Sequence, residues 1–326
     1  MVLVVDGLRT YFFTGRGVVK AVDGVSFSVG HGEIFGLVGE SGSGKSVTAL
    51  SIMRLVPDPG RIVGGRVLFD GKDILMMNER EISKIRGRKI SMIFQDPMTS
   101  LNPVLKVGDQ LVETIMLHKG MSFTEARKKA VELLTDVGIS DAKVRLEQYP
   151  FHLSGGMKQR VMIAMALAAT PRLLIADEPT TNLDVTIQAQ ILDLIRRVRY
   201  VYGMSVMLIT HNLGIVAWLC DRVAVMYAGR IVEYADTITL FNNPLHPYTQ
   251  LLIKAIPRID VRKERLDSIE GDVPNMINLP TGCRFHPRCP YAKQMCKMMI
   301  PQLVEVERGH YVECLIYDSS VEWVKT

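Results

Sequence analysis

Gly39-Glu40-Ser41-Gly42-Ser43-Gly44-Lys45-Ser46 decides how this chain is read. The octapeptide fits G-x-x-x-x-G-K-[ST] at every fixed position. The apolar run EIFGLVG (33–39) before it reads as a strand, and SVTALSIMRLV (46–56) after it has helical spacing up to Pro57. Strand, glycine-rich loop and helix form the context in which this pattern cradles phosphate. Glycines let successive backbone N–H groups converge on one anion with no Cβ in the way. The helix N-terminus adds unpaired donors and a favourable dipole. Lys45 has the reach for β- and γ-phosphates, and the Ser46 hydroxyl suits Mg2+. Gly39, Ser41, Gly42, Ser43, Gly44, Lys45 and Ser46 are therefore expected to hold Mg-ATP. A chance glycine turn containing Lys-Ser is the bland alternative, and the flanking strand and helix argue against it.

Outward from the loop, residues 1–30 alternate as strands of an antiparallel sheet, and GRVLFDGKDI (65–74) reads as a hairpin turning at Asp70-Gly71. KISMIFQ (89–95), RLLIADE (172–178) and SVMLITH (205–211) read as strands, the last two short and buried as in a parallel sheet. RVAVMYAGRIVEYA (222–235) reads as a hairpin turning at Gly229. Strands alternating with helices predict an α/β P-loop core. A mostly helical stretch, about 96–170, interrupts the alternation, with breaks near Gly138 and Tyr149-Pro150. After Pro257 the charged segment IPRIDVRKERLDSIEGDVP reads as a linker, so the expected division is 1–257 and 258–326.

LLIADE places Asp177 and Glu178 at the C-terminal end of an apolar strand. In open α/β sheets that end faces the ligand crevice. Asp177 is the candidate for the Mg2+ shell and Glu178 for polarising the attacking water, because phosphoryl transfer needs positioning and charge neutralisation above all. An acidic loop start is the bland alternative.

The 326 residues are 48% apolar and 22% charged, enough for a large core plus an appendage. The net charge of +5 is mild, and its densest cluster (Lys84, Arg86, Arg88, Lys89) reads as a solvated face rather than a nucleic-acid patch. No run reaches the roughly 20 apolar residues of a spanning helix, and the opening MVLVVDGLRTYFF reads as no secretory leader. If the protein works at a membrane, other subunits must span it.

Leu153-Ser154-Gly155-Gly156-Met157-Lys158-Gln159-Arg160 precedes another predicted helix and resembles the signature loop of ABC ATPases. That resemblance implies that Ser154, Gly155 and Gly156 receive the γ-phosphate of an ATP on a partner's phosphate loop, in a head-to-tail dimer. It further implies that Gln95 (in MIFQDP) is the Q-loop residue that senses Mg2+ and the membrane subunit. Asp184, in Asn182-Leu183-Asp184, matches the D-loop, and His211, in LITHN, the switch histidine. Tyr11 or Phe12 matches the ring that stacks on adenine. DPMTSLNP (96–103), TIQAQIL (186–192) and NPLHPYTQLLIKAIP (243–257) resemble the peptide-importer branch, whose cargo is dipeptides or oligopeptides, in some relatives oligosaccharides. Asn212 departs from that branch's usual Asp. Membership implies an ABC ATPase at the cytoplasmic face of the membrane. It would work with a second, different ATPase, two transmembrane permeases and, through them, an extracellular substrate-binding protein. A non-transport ABC ATPase acting on nucleic acid or ribosomes is the rival. Those usually carry a long coiled-coil insert or two cassettes in one chain, and neither is seen here.

Of five cysteines, Cys283, Cys289, Cys296 and Cys314 fall in the last 44 residues with spacing C-x5-C-x6-C-x17-C. An ATP-dependent enzyme faces a reducing cytoplasm, where structural disulfides are rare. The spacing is wider than that of zinc ribbons, and four cysteinates suit a 4Fe–4S cluster. The tail also resembles that of the peptide-importer branch, which implies a cluster there. Zinc, with His286 and His310 as further ligands, and unligated thiols are the alternatives. The segment is expected to form a small cysteine-rich lobe. Cys220, in VAWLCD, reads as core.

Overall fold

The computed structural model describes residues 1–96, 100–181, 183–256 and 269–318. Asn182, part of DPMTSLNP, the Pro257 boundary and most of the linker therefore lie outside the described residues.

Strands β1 (Leu3–Thr14), β2 (Gly17–Val29), β4 (Gly60–Phe69) and β5 (Lys72–Asp73) form an antiparallel sheet in the order β2-β1-β4-β5. The hairpin does turn at Asp70-Gly71, both residues having positive φ, but its first arm reaches back to Gly60. The second sheet holds β3 (Ile34–Val38), β6 (Ile90–Ile93), β7 (Leu173–Asp177), β8 (Ser205–Thr210) and β9 (Arg222–Tyr227), paired in parallel. β10 (Arg230–Asp236) turns back at Gly229 and pairs antiparallel with β9.

The central strands are buried throughout, which explains their unbroken apolar runs. Their alternation sorts residues onto two faces. Ile34, Val38, Leu174 and Ala176 enter one core, while Phe35, Leu37, Leu173 and Ile175 enter the other. The first core is shared with the helical layer, built from α3 (Val107–Lys119), α4 (Phe123–Asp136), α5 (Ala142–Leu146) and α6 (Gly155–Leu167). The helix after the phosphate loop, α1 (Lys45–Ile52), stops short of the expected Val56. Arg54 adopts a left-handed backbone (φ 52) two residues later, which ends the helical path. A short α2 (Glu79–Ser83) carries a capping box from Asn78 and Glu81, and Ser122 and Glu125 repeat the device at α4.

The cysteine segment docks on this body. Its strands β11 (Leu303–Glu307) and β12 (His310–Glu313) extend the large sheet, with β12 antiparallel to β10 through Glu233–Val312 and Tyr234–Tyr311. Phe285 is fully buried between Tyr227 and Tyr248. Buried polar groups hold the seam. Arg230 Nε donates to both oxygens of Glu313 at 2.8 and 2.9 Å, and His310 Nε2 lies 2.8 Å from Glu233 Oε1. Cys220 is buried in the main core, as expected. Among the described residues no helix is long and apolar enough to cross a membrane.

Candidate functional site

The phosphate loop runs from β3 into α1, and two of its glycines could be nothing else. At Gly39 (φ 151) a Cβ would lie 2.1 Å from the Met226 carbonyl oxygen, and at Gly44 (φ 105) 2.2 Å from that of Ala21. The loop is thus pressed against backbone from β9 and β2. Lys45 is buried and folds back into the loop, its Nζ donating to Gly39 O at 2.8 Å and Glu40 O at 2.9 Å. Burial lowers its pKa, against the opposing pull of Glu178, Asp177 and Glu40.

Strand β7 delivers the two acids beside it. Ser46 Oγ donates to Asp177 Oδ1 at 3.0 Å. Burial pushes the Asp177 carboxyl up to about 6, with the Ser46 hydrogen bond holding it down and the nearby Glu178 adding to the rise. Glu178 has φ 44, a backbone state rare for its residue type and common at functional sites. Its Oε2 accepts from Gln95 Nε2 at 3.1 Å and from Thr181 Oγ1 at 3.0 Å. His211 Nδ1 lies 3.2 Å from Glu178 Oε1. Gln95, Glu178 and His211, three residues picked from separate motifs, are thereby brought into one hydrogen-bonded group. With Gly39, Glu40 and Ser41 they line a cavity of about 440 Å3. Thr181 was not anticipated. Its only sequence signal is a hydroxyl three residues after the acid, in Glu178-Pro179-Thr180-Thr181.

Other expected site residues stand apart from that cavity. Ser154 caps α6, accepting from Met157 N–H at 3.4 Å, and both Ser154 and Gly155 are exposed. Asp184 caps α7 (Val185–Tyr202), accepting from Ile187 N–H at 3.0 Å. Neither loop lines the cavity, and neither does the pair Tyr11 and Phe12. The Tyr11 hydroxyl donates to Asp23 Oδ1 at 2.6 Å. The Phe12 ring lies over Gly60, beside Val56.

Cys283, Cys289, Cys296 and Cys314 line a single narrow cavity, with Phe285 and His286 among its other walls. All four are free thiols. Burial pushes Cys283 and Cys314 up to about 12 and raises Cys289 as well. Yet among the described residues no group of three or more His, Cys, Asp or Glu side chains is arranged to hold a metal ion. His310 does not line that cavity, and its Nε2 lies 2.8 Å from Glu233 Oε1. His286 faces the cavity with Nδ1 2.9 Å from the Cys283 carbonyl.

Residues 22–181 match the family model described as ABC transporter, and residues 232–296 match oligopeptide/dipeptide transporter, C-terminal region. The chain is 52% identical to the oligopeptide transport ATP-binding protein AppD of Bacillus subtilis, over 97% of each chain. It is 50% identical to the oligopeptide transport ATP-binding protein OppD of Escherichia coli, over 96% of this chain and 92% of that one. Among solved structures it resembles the dimeric ATP-binding cassette MJ0796 bound to ADP and Pi. That likeness has a TM-score of 0.65 at 28% identity, over 72% of this chain and 98% of that one. This chain belongs to the ABC transporter ATP-binding proteins, in the branch that carries the oligopeptide/dipeptide transporter C-terminal region.

Proposed function

We propose that the chain is the ATP-binding and ATP-hydrolysing subunit of an importer for oligopeptides or dipeptides, peripheral at the cytoplasmic face of the membrane. The observation that carries this reading is the meeting of the phosphate loop and Glu178 at one cavity, with Asp177 hydrogen-bonded to Ser46 of that loop. The relatives' names supply the cargo class. In this reading Lys45 supplies positive charge to the phosphates. Glu178, held by Gln95, Thr181 and His211, orients the attacking water and takes up its proton. The pairing of Ser46 with Asp177 fits Mg2+, which on a nucleotide is held by one or two carboxylates beside the phosphates; Gln95 would complete the set. Mg2+ supplies charge neutralisation at the phosphates.

The catalytic unit in this reading is a dimer with a related but different ATPase. Each signature loop, Ser154 to Gly156, faces the partner's phosphate loop. The exposure of Ser154 and Gly155 and the dimeric cassette among the similar structures support this. The helical layer grips two permeases, which connect to a substrate-binding protein. Residues 1–257 form the nucleotide-binding unit and 258–326 its extension. Affinity purification of the tagged chain from native membranes tests the assembly. Two permeases and a second ATPase should co-elute, and recovery of the chain with ribosomes or nucleic acid instead would overturn it.

For the extension, the finer reading is a 4Fe–4S cluster held by Cys283, Cys289, Cys296 and Cys314. The cavity that the four cysteines share is what supports it. Anaerobically purified protein should contain iron and acid-labile sulfide. Stoichiometric zinc in colourless protein would exclude the cluster.

A further inference from the structure

CRFHPRC (283–289) carries an arginine next to each of its two cysteines. Neither arginine lines the cysteine cavity. Arg288 instead crosses to the phosphate loop, where Nη1 donates to Glu40 Oε2 at 2.7 Å and Nη2 to Glu40 Oε1 at 3.0 Å. Its Nε donates to Glu270 O at 2.9 Å, and its guanidinium lies 5.8 Å from the centre of the Tyr227 ring. The Arg288 side chain is 4% exposed. This is a bidentate pair whose arginine is shielded from water and whose carboxylate is 29% exposed, of a kind that outweighs the more exposed ion pairs elsewhere on the surface. Arg284 anchors the same segment a second time, pairing with Asp23, the acceptor of the Tyr11 hydroxyl.

Glu40 is where this contact acts. Its N–H donates to the Tyr248 hydroxyl at 3.0 Å, its carbonyl accepts from Lys45 Nζ, and it lines the same cavity as Glu178. A free Glu40 carboxylate would add a third negative group beside Asp177 and Glu178, at a site that must accept a polyanion. Like charges at one site repel.

We infer that Arg288 is a positioning residue for ATP. By clamping Glu40 it neutralises the one carboxylate of the phosphate loop, so the cysteine segment sets ATP affinity from outside the motifs. The inference rests on the reading of Gly39–Ser46 as the ATP loop.

The test uses the full chain, a fluorescent ATP analogue for Kd, and the assembled transporter for KM and kcat. Arg288→Gln should raise Kd and KM roughly tenfold while kcat stays within about twofold, the split expected when binding rather than chemistry is lost. Glu40→Gln alone should not reproduce that tenfold loss. The double variant Glu40→Gln/Arg288→Gln should recover affinity to within about threefold, because the repelling charge is gone. A role in folding alone predicts no rescue. Unchanged Kd in Arg288→Gln, or a double variant as weak as the single, overturns the inference. If Arg288→Gln loosens the tail, Arg288→Lys carries the same cycle, since lysine keeps the charge and loses the fork. A drop of about threefold that Glu40→Gln abolishes supports the inference, and no drop overturns it. Lys45→Ala separates the two readings. It should abolish analogue binding, and normal binding there would overturn the ATP loop itself.

Discussion

Gly39–Ser46 and Ser154–Gly156 carry the same local device, a glycine turn leading into a helix N-terminus, on two different layers of the molecule. The first is enclosed. Ser43 and Lys45 are buried, backbone from β2 and β9 presses on its glycines, and β7 brings two carboxylates against it. The second is open. Ser154 and Gly155 face solvent, and a Cβ on Gly155 would meet only Leu183, 3.4 Å away. Both turns offer unpaired N–H groups to an anion, but only the first has the groups that do chemistry beside it. One chain thus presents an enclosed loop with two carboxylates beside it and an exposed loop with none of those groups.

The largest expected effect would break the claim that chemistry resides at the enclosed loop. Glu178→Gln keeps the hydrogen-bonding shape toward Gln95 and Thr181 and removes the charge that activates water. Steady-state ATPase should fall by roughly 10²–10⁴-fold, with ATP still bound. A rate near that of the unmodified protein would unseat Glu178. Next, Ser154→Arg sharpens the contrast at the open loop. ATPase of the assembled transporter should fall by at least about tenfold, while analogue affinity at the chain's own phosphate loop stays within about twofold. Loss of binding and turnover together would mean that both loops serve one nucleotide in one chain.

The smallest effect concerns pH. The folded Asp177 carboxyl, at about 6, sits above its ordinary 3.8. The folded chain therefore binds this proton more tightly than the unfolded one, and its nucleotide-free stability declines as pH rises from about 4 through 6. Asp177→Asn should accordingly melt higher than the unmodified chain at pH 8, by the equivalent of about 1–3 kcal/mol, with the gap closing below about pH 4. Conversely, Mg-ATP affinity of the unmodified chain should weaken roughly tenfold from pH 7 to pH 5, as the carboxylate that Mg2+ needs is protonated. A flat profile in both measurements would place Asp177 outside the Mg2+ shell.

What the sequence determined by itself is whatever is written in contiguous residues. The phosphate loop, the acid pair ending β7, the turns at Asp70-Gly71 and Gly229, and the alternation of strands and helices all follow from local period and glycine placement. The family resemblance added the roles of Gln95, His211 and Ser154. Tertiary structure alone decided which of those residues meet. It closed Gln95 and His211 onto Glu178, across 83 and 33 residues of chain, and recruited Thr181, which no motif had marked. It also laid the last hairpin onto the edge of the large sheet and gathered four widely spaced cysteines into one cavity. Arg288 and Glu40 are separated by 248 residues, and no periodicity spans such a distance. Their pairing exists because the tail packs Phe285 between Tyr227 and Tyr248, which holds the following arginine over the loop. Local pattern fixes elements through backbone and side-chain preferences of neighbours, whereas contacts between elements are fixed by how their apolar faces are buried against one another.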